Sequence, residues 1–344
     1  MSLIEHRRRE PAPGVFRLVL PLPFPGLDRV NAYLLADEGG STLIDCGIYF
    51  PDAAEGHGWD DLVAALAQCD HSPSDIKRLI VTHPHIDHYG MAGLLMVETG
   101  CDLWMQGMAD IELEAYRSPE TSRGRLRAVL STHGVSDEEL DELTAFEDWR
   151  PYVSKVVDPT GWLHDKETVK VGSREWEIVY TPGHSPSHVC LWSGEDGILI
   201  AGDHLLPTVT PHIDFKGWEA EDPLGEFLTS LERIEGLDPK LVLAGHGRPF
   251  TEGAERARVI ARHHDRRLGS ILQVIRHRPA TADFITDEIF GTSLLNFQRR
   301  LAVGEALAHL AYLRKRGEVE RIQDEDGKYT YKKASRRHTS EVDD

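Results

Sequence analysis

The stretch THPHIDH, residues 82–88, decides the fold, and it follows the apolar run RLIV at 78–81. A short apolar run between polar segments is typical of a buried strand. The polar side chains then emerge where the strand ends, on a loop, and such positions commonly carry function. Three histidines and one aspartate lie within the six residues 83–88, which packing alone does not explain. We therefore predict a metal-binding site.

Three further segments share one design, in which an apolar run ends in a histidine or an aspartate beside a glycine. They are YTPGH at 180–184, IAGDH at 200–204 and LAGHG at 243–247. Imidazole and carboxylate together suit divalent zinc, iron or manganese with an open position for water. Glycine beside a ligand lets the backbone approach a small ion closely. The four segments together indicate one metal centre.

In this order, HxHxDH, TPGHS, AGD and GHG resemble the metallo-β-lactamase superfamily, over roughly residues 15–250. The earlier LIDCG at 43–47 resembles the D-x-G strand end of that family. The resemblance implies that Asp45 orients a ligand histidine. It also implies two divalent ions, expected to be zinc although iron and manganese are compatible. The implied ligands are His83, His85 and His184 for the first ion, Asp87, His88 and His246 for the second, and Asp203 between them.

Three other histidines lie close to these motifs. His188 and His204 are expected to support the ligands or to be structural, without binding metal themselves. His212 lies in the loop after Asp203 and is a candidate for contact with the substrate, with a solvated histidine as the plain alternative.

The spacing of apolar residues predicts an α+β protein. Short apolar or alternating runs within 15–47 and again within 168–202 predict strands, and helical patterns follow in each half. Two strand-rich halves, each ending in helices, predict a four-layer αββα metallo-β-lactamase sandwich with its site along one edge between the sheets. We expect this catalytic domain to occupy residues 1–253.

Two segments depart from this pattern. Residues 105–165 contain the acidic helical patterns MADIELEAYR and SDEELDELTAFEDWR, which predict a helical lid inserted into the catalytic domain. Residues 254–334 contain helical patterns and then the hairpin signal VERIQ-DEDG-KYTYKK, which predict a small winged-helix module at the C-terminus. Residues 335–344 are polar and predict a flexible tail.

The composition narrows the class of protein. Hydrophobic residues make up 40% and charged residues 28% of the chain, and no apolar run is long enough for a bilayer, so we expect a cytoplasmic globular protein without a membrane partner. The formal net charge of −19 repels polyanions at long range. Cys46, Cys69, Cys101 and Cys190 form no CxxC pair and are expected to be reduced, buried thiols.

The resemblance and the metal centre imply a dinuclear metal-dependent hydrolase. The ions would convert water into a hydroxide that attacks a carbonyl, with Asp87 as the catalytic residue that orients it and passes on a proton. A thiolate departs more readily than an alkoxide, so a small-molecule acyl thioester is expected first, then esters and lactones. Tyr116 and Trp149 are candidates for contact with an acyl chain, although they could equally hold the lid together.

Other functions are compatible with the motifs. A metallo-β-lactamase domain followed by a winged helix is similar to a small endoribonuclease group, so a metal-dependent endoribonuclease or phosphodiesterase is the alternative, with nucleic acid as partner. The net charge argues against it, and the C-terminal module would then serve packing or a homodimer. Redox enzymes of this fold include the flavodiiron proteins, which carry a glutamate where this chain has His85. A non-enzymatic scaffold would be expected to have lost ligands.

Overall fold

The protein is described by a computed structural model that covers residues 9–24, 26–50, 58–145 and 148–335. The predicted flexible tail lies outside the described residues, except for Ser335. None of the helices in these ranges combines the length and the apolar character needed to cross a lipid bilayer. The four cysteines are buried and unpaired, as expected.

The first sheet has six strands, which lie side by side in chain order. They are β1 (Val15–Phe24), β2 (Leu27–Leu35), β3 (Ser41–Ile44), β4 (Ile76–Ile80), β5 (Asp102–Gln106) and β6 (Gly161–Leu163). The first three strands form an antiparallel meander, and β3 to β6 run parallel. Parallel neighbours need crossovers, which here contain helices. Those before β5 contain α1 (Trp59–Ala67), α2 (Ile86–Tyr89) and α3 (Ala92–Thr99).

A helical insertion separates β5 from β6 in the sequence. It contains α4 (Ala109–Arg117), α5 (Pro119–Thr132) and α6 (Asp137–Thr144). The helix α4 coincides with the first acidic pattern, and α6 covers only the first part of the second, which extends to Arg150. The helix α5 was not predicted. Its buried face includes Pro119 and Ser122 beside Leu126 and Leu130, so the apolar period is incomplete. The strand β6 was also missed within the predicted lid, because three residues are too few to show a period.

The second sheet has five strands. They are β7 (Thr168–Val171), β8 (Arg174–Tyr180), β9 (Val189–Ser193), β10 (Ile198–Gly202) and β11 (Leu241–Ala244). Their spatial order is β11-β10-β9-β8-β7, and all neighbours are antiparallel except β10 and β11. The helix α7 (Pro223–Leu237) provides the crossover between that parallel pair.

The strand β3 shows why the two sheets form the middle layers. Successive side chains of a strand point to opposite faces, and Leu43 and Ile44 are both fully buried. Leu43 packs in a cluster with Leu62 of α1, whereas Ile44 packs in a cluster with Trp176 and Ile200 of the second sheet. Each sheet is therefore covered by its partner on one face and by helices on the other. This confirms the predicted αββα sandwich.

The C-terminal module contains three helices and then a hairpin, in the order that the sequence predicts. These elements are α8 (Gly253–Val274), α9 (Ala282–Phe290), α10 (Asn296–Lys315), β12 (Val319–Gln323) and β13 (Tyr329–Lys333). The helix α10 begins at Asn296, and the preceding sequence does not mark this start. The backbone N–H of Leu295 donates to the Gln298 side chain at 3.2 Å, and leucine is not a residue that signals a helix start.

The C-terminal module shares a core with the second sheet. Leu199 of β10, Phe227 of α7, Ile260 of α8 and Leu307 of α10 belong to one buried cluster. Packing is therefore continuous across the boundary expected between residues 253 and 254. The helix α10 consequently lies close enough to the sandwich to take part in its site.

Candidate metal centre

The polar residues singled out by the sequence lie where strands end at one edge of the sandwich. Asp45 follows β3 and His83 follows β4, and these two strands are parallel neighbours. Asp203 follows β10 and His246 follows β11, the parallel pair of the second sheet. His184 lies in the loop after β8. Parallel strands end at the same edge, so these residues converge although they are distant in sequence.

One set of candidate ligands consists of three histidines. The Nε2 atom of His83 lies 3.0 Å from Nδ1 of His85 and 3.3 Å from Nε2 of His184. The remaining pair, His184 Nε2 and His85 Nδ1, is 3.1 Å apart. Zinc–nitrogen bonds at tetrahedral angles place the nitrogen atoms roughly 3.3 Å apart. The three imidazoles therefore fit one metal ion.

The other set combines Asp87, His88 and His246. The Nε2 atom of His246 lies 3.2 Å from an oxygen of Asp87 and 3.2 Å from Oδ2 of Asp203. That same Oδ2 lies 3.9 Å from Nε2 of His184. Asp203 therefore lies between the two sets, where a bridging carboxylate would be placed.

Two buried atoms in the centre have no hydrogen-bond partner among the described residues. They are Nε2 of His88 and Oδ1 of Asp203, which lie 3.5 Å apart. Buried polar atoms without a partner are uncommon in folded proteins and call for an explanation. A cation bound by both atoms would satisfy them. The residues present therefore fit two divalent ions.

Carboxylates dominate the charge of the centre. Burial by itself would raise the pKa of Asp87, but the neighbouring His88 and His246 lower it to about 2. Burial by itself would lower the pKa of His88. The carboxylates of Asp45, Asp87 and Asp203 instead hold this pKa well above its ordinary value. Burial would also lower the pKa of His246, but Asp203 raises it to about 10. The centre therefore attracts positive charge, and metal binding would displace protons from these rings.

Four of the five histidines have their outer ring nitrogen, Nδ1, fixed by a hydrogen bond. Their Nε2 atoms consequently face the centre, an arrangement that is usual for metal-binding histidines. The pairs are His83 with Thr82 Oγ1 at 3.1 Å, His88 with Asp45 Oδ2 at 2.7 Å, His184 with the His212 carbonyl at 2.7 Å, and His246 with the Arg29 carbonyl at 2.8 Å.

Asp45 has a left-handed backbone, with φ 60°. This conformation is uncommon outside glycine, and it is often kept at functional sites. Its carboxylate accepts hydrogen bonds from the backbone N–H of Thr82 at 2.8 Å and from the Thr82 hydroxyl at 2.9 Å. The same carboxylate bonds to His88. The structure thus places Asp45 where it orients His88, a candidate ligand.

His188 and His204 have different roles. The N–H of Asp203 donates to Nε2 of His188 at 3.1 Å, and Nδ1 of His188 bonds to Thr181 Oγ1 at 2.8 Å. His188 therefore fixes the backbone of Asp203. His204, which we expected to support the ligands or to be structural, packs against Phe227 at 4.9 Å between ring centres. Within the described ranges it makes no hydrogen bond to the candidate ligands.

The metal centre opens into a pocket of about 440 Å³. The three candidate substrate contacts, Tyr116, Trp149 and His212, all line this pocket. The hydroxyl of Tyr116 donates to the carbonyl of Pro84 at 2.6 Å, which ties the helical insertion to the motif at 82–88. A pocket of this volume is within the range that encloses small ligands.

Glu112 of α4 is among the polar residues of the pocket that the sequence does not single out. Its buried carboxylate accepts hydrogen bonds from the hydroxyl of Ser185 at 2.9 Å and from the N–H of Ser187 at 3.1 Å, and the Ser187 hydroxyl also donates to it. Burial and then the charge of Glu219 raise the pKa of Glu112 to about 7. In the sequence, Glu112 is one acidic residue of a solvated-looking helix, so no signal distinguishes it.

An αββα sandwich with histidines and aspartates at the ends of its strands defines a class of metal-dependent hydrolases. This chain belongs to the metallo-beta-lactamase superfamily, whose family model matches residues 25–246. A second model, the metallo-beta-lactamase-like C-terminal domain, matches residues 268–334.

The chain is similar to several known proteins. A beta-lactamase domain protein from Burkholderia ambifaria is 33% identical, with a TM-score of 0.80 over 94% of this chain and 93% of that one. The probable metallo-hydrolase YqjP of Bacillus subtilis is 24% identical over 87% of this chain and 92% of the relative. The hydroxyacylglutathione hydrolase GloC of Haemophilus influenzae is 25% identical over 68% of this chain and 93% of the relative.

Proposed function

We propose that this chain is a dinuclear metal-dependent hydrolase of small acyl thioesters, with esters and lactones as lesser substrates. The observation that carries the proposal is the convergence of the two candidate ligand sets on Asp203, which lines a pocket of about 440 Å³. The similarity to a hydroxyacylglutathione hydrolase supports the thioester class, since that name describes an acyl thioester of glutathione.

His83, His85 and His184 would hold one ion, and Asp87, His88 and His246 the other. Asp203 would bridge them. When bound, two divalent ions supply Lewis acidity that activates water and polarises a carbonyl group. The donor set suits zinc, iron and manganese, and we propose zinc because histidine-rich sites that also contain a carboxylate are common among zinc hydrolases.

Asp87 would orient the attacking water and accept its proton. It lines the pocket, and its carboxylate lies 3.2 Å from His246. As a carboxylate that would hold a metal ion, Asp87 would be ionised at neutral pH, so it would orient water well but be a weak source of protons. This chemistry favours a leaving group that departs without prior protonation. A thiolate meets that condition better than an alkoxide or an amine.

The test is thiol release from a panel of acyl thioesters. Metal-loaded protein is compared with protein treated with a chelator and with the Asp203→Asn variant. We expect both treatments to lower kcat by at least about a hundredfold, since the bridging charge and the ions act together in the transition state. Metal content of the variant is measured in parallel, because a neutral amide binds cations more weakly than a carboxylate.

Unchanged turnover in Asp203→Asn would show that this centre does not carry the reaction. If protein with two bound ions per chain released no thiol from any member of the panel, the thioester assignment would be wrong. Ester, lactone and RNA substrates would then be tested in that order.

A further inference from the structure

The pocket of the metal centre extends over an apolar surface built from three distant parts of the chain. The β1–β2 hairpin, the end of the helical insertion and the start of α10 each contribute to it. We call its five side chains the apolar arm, and they are Phe24, Leu27, Trp149, Phe297 and Leu301.

The apolar arm is continuous. The ring of Trp149 lies 6.0 Å from that of Phe297 and 6.2 Å from that of Phe24, edge to face in both cases. Leu27 pairs with Phe24 across the hairpin. Leu301 follows Phe297 by four residues in α10, so the two side chains lie on the same face of the helix.

Part of the apolar arm is exposed to solvent. Phe297 is 38% exposed and Leu27 is 39% exposed. An exposed apolar surface that continues into a pocket commonly marks a binding site. The ligand part that covers it needs no hydrogen-bonding groups, because four of the five side chains have none to offer. Charged side chains of the same pocket, Lys216 and Glu219 among them, suit the more polar part of a substrate.

We propose that the apolar arm binds the hydrocarbon chain of the substrate's acyl group, and that Phe297 determines the preference for longer chains. The C-terminal module would then select the substrate of the catalytic domain. The inference rests on the proposed function, because it assumes that the acyl carbonyl lies at the metal centre.

The experiment uses thioesters of one thiol with acyl chains from acetyl to decanoyl. In the wild-type protein, we expect kcat/KM to rise about fourfold for each methylene group that the arm buries. In Phe297→Ala, kcat/KM should fall about tenfold for octanoyl thioester and less than about twofold for acetyl thioester. Phe297→Leu should restore most of the preference, since leucine keeps an apolar side chain of similar reach.

The matched control is Phe16→Ala. Phe16 lies in β1 outside the pocket, is partly buried and packs against His71 at 5.1 Å between ring centres. This variant loses the same atoms, so its kcat/KM should change by one factor for all chain lengths. Equal losses for acetyl and octanoyl thioesters in Phe297→Ala would overturn the inference. A kcat/KM that depends on the thiol and is the same for all acyl chains would also overturn the inference.

Calorimetric titration with octanoate separates this inference from the proposed function. If the wild-type protein released no thiol, the thioester assignment would fail while the arm could still be tested. Octanoate binding by the wild-type protein that is weakened about tenfold in Phe297→Ala would support the arm. Equal octanoate affinity in the two proteins, or no binding by either, would overturn it.

Discussion

At the scale of single residues, Glu112 of α4 has a buried carboxylate whose protonation is linked to the stability of the fold. Its pattern resembles a solvated helix face, yet its carboxylate is buried under hydrogen bonds from Ser185 and Ser187. The pKa of Glu112 is raised to about 7 from an ordinary value of 4.5. Between these two values the folded chain binds more protons than the unfolded chain, so its free energy of unfolding falls as pH rises.

We therefore predict that Glu112→Gln gains stability relative to the wild-type protein as pH rises. Glutamine keeps an oxygen that accepts the N–H of Ser187, but it carries no charge to bury. The gain in free energy of unfolding from pH 4.5 to pH 8 should be at most about 3 kcal/mol. Urea unfolding of both proteins at each pH measures it, and a difference that is independent of pH would contradict the prediction.

At the scale of elements, α10 holds the loop that orients a candidate metal ligand. The guanidinium of Arg300, almost fully buried, donates to the two carboxylate oxygens of Asp214 at 3.1 and 2.8 Å. The N–H of Phe215 donates to the carbonyl of Gly304 at 3.3 Å. The backbone carbonyl of His212, two residues before Asp214, accepts a hydrogen bond from Nδ1 of His184 at 2.7 Å. The start of α10 thus acts on the metal centre through this loop.

Gly304 allows this close approach, because a Cβ atom there would collide with Oδ1 of Asp214. We predict that Gly304→Ala lowers the free energy of unfolding by about 1–3 kcal/mol and reduces metal content and thiol release. The control is Gly269→Ala in α8, where a Cβ atom meets nothing within 4 Å. That variant should be more stable by about 0.5–1 kcal/mol. Similar effects of the two substitutions on unfolding and on metal content would contradict the prediction.

At the scale of the whole molecule, side-chain hydrogen bonds connect the helical insertion to the C-terminal module. Arg299 of α10 donates to Glu139 of α6 at 2.8 Å and also to Asp283 and Asp287 of α9. The hydroxyl of Tyr331 lies 2.8 Å from Nδ1 of His133, which follows α5. The predicted lid is therefore fixed to the module, and together they form the outer wall of the pocket.

The charge of the whole molecule bears on the nuclease alternative. The net charge is −19, and several basic side chains of the module pair with acidic ones. Arg262 lies 2.9 Å from Glu255, and Lys332 lies 3.0 Å from Glu320. Phosphate binding would have to compete with these pairs.

We predict that metal-loaded protein neither retains nor cleaves a single-stranded RNA oligomer at about 0.15 M salt, under conditions in which it releases thiol. Gel-shift and cleavage assays over a series of salt concentrations check this. Steeply salt-dependent binding, with cleavage that Asp203→Asn abolishes, would favour the endoribonuclease alternative.

The sequence by itself determined the αββα sandwich, and it identified the candidate ligands of the metal centre through their resemblance to a known family. Both follow from local signals: apolar periods predict the strands, and the motif at 82–88 stands directly after one of them. Only the tertiary structure decided that Glu112 is buried, that His188 and not His204 supports Asp203, and that Phe297 reaches the pocket. These facts depend on contacts between residues distant in the chain, and no local pattern records which face of an amphipathic helix meets which neighbour.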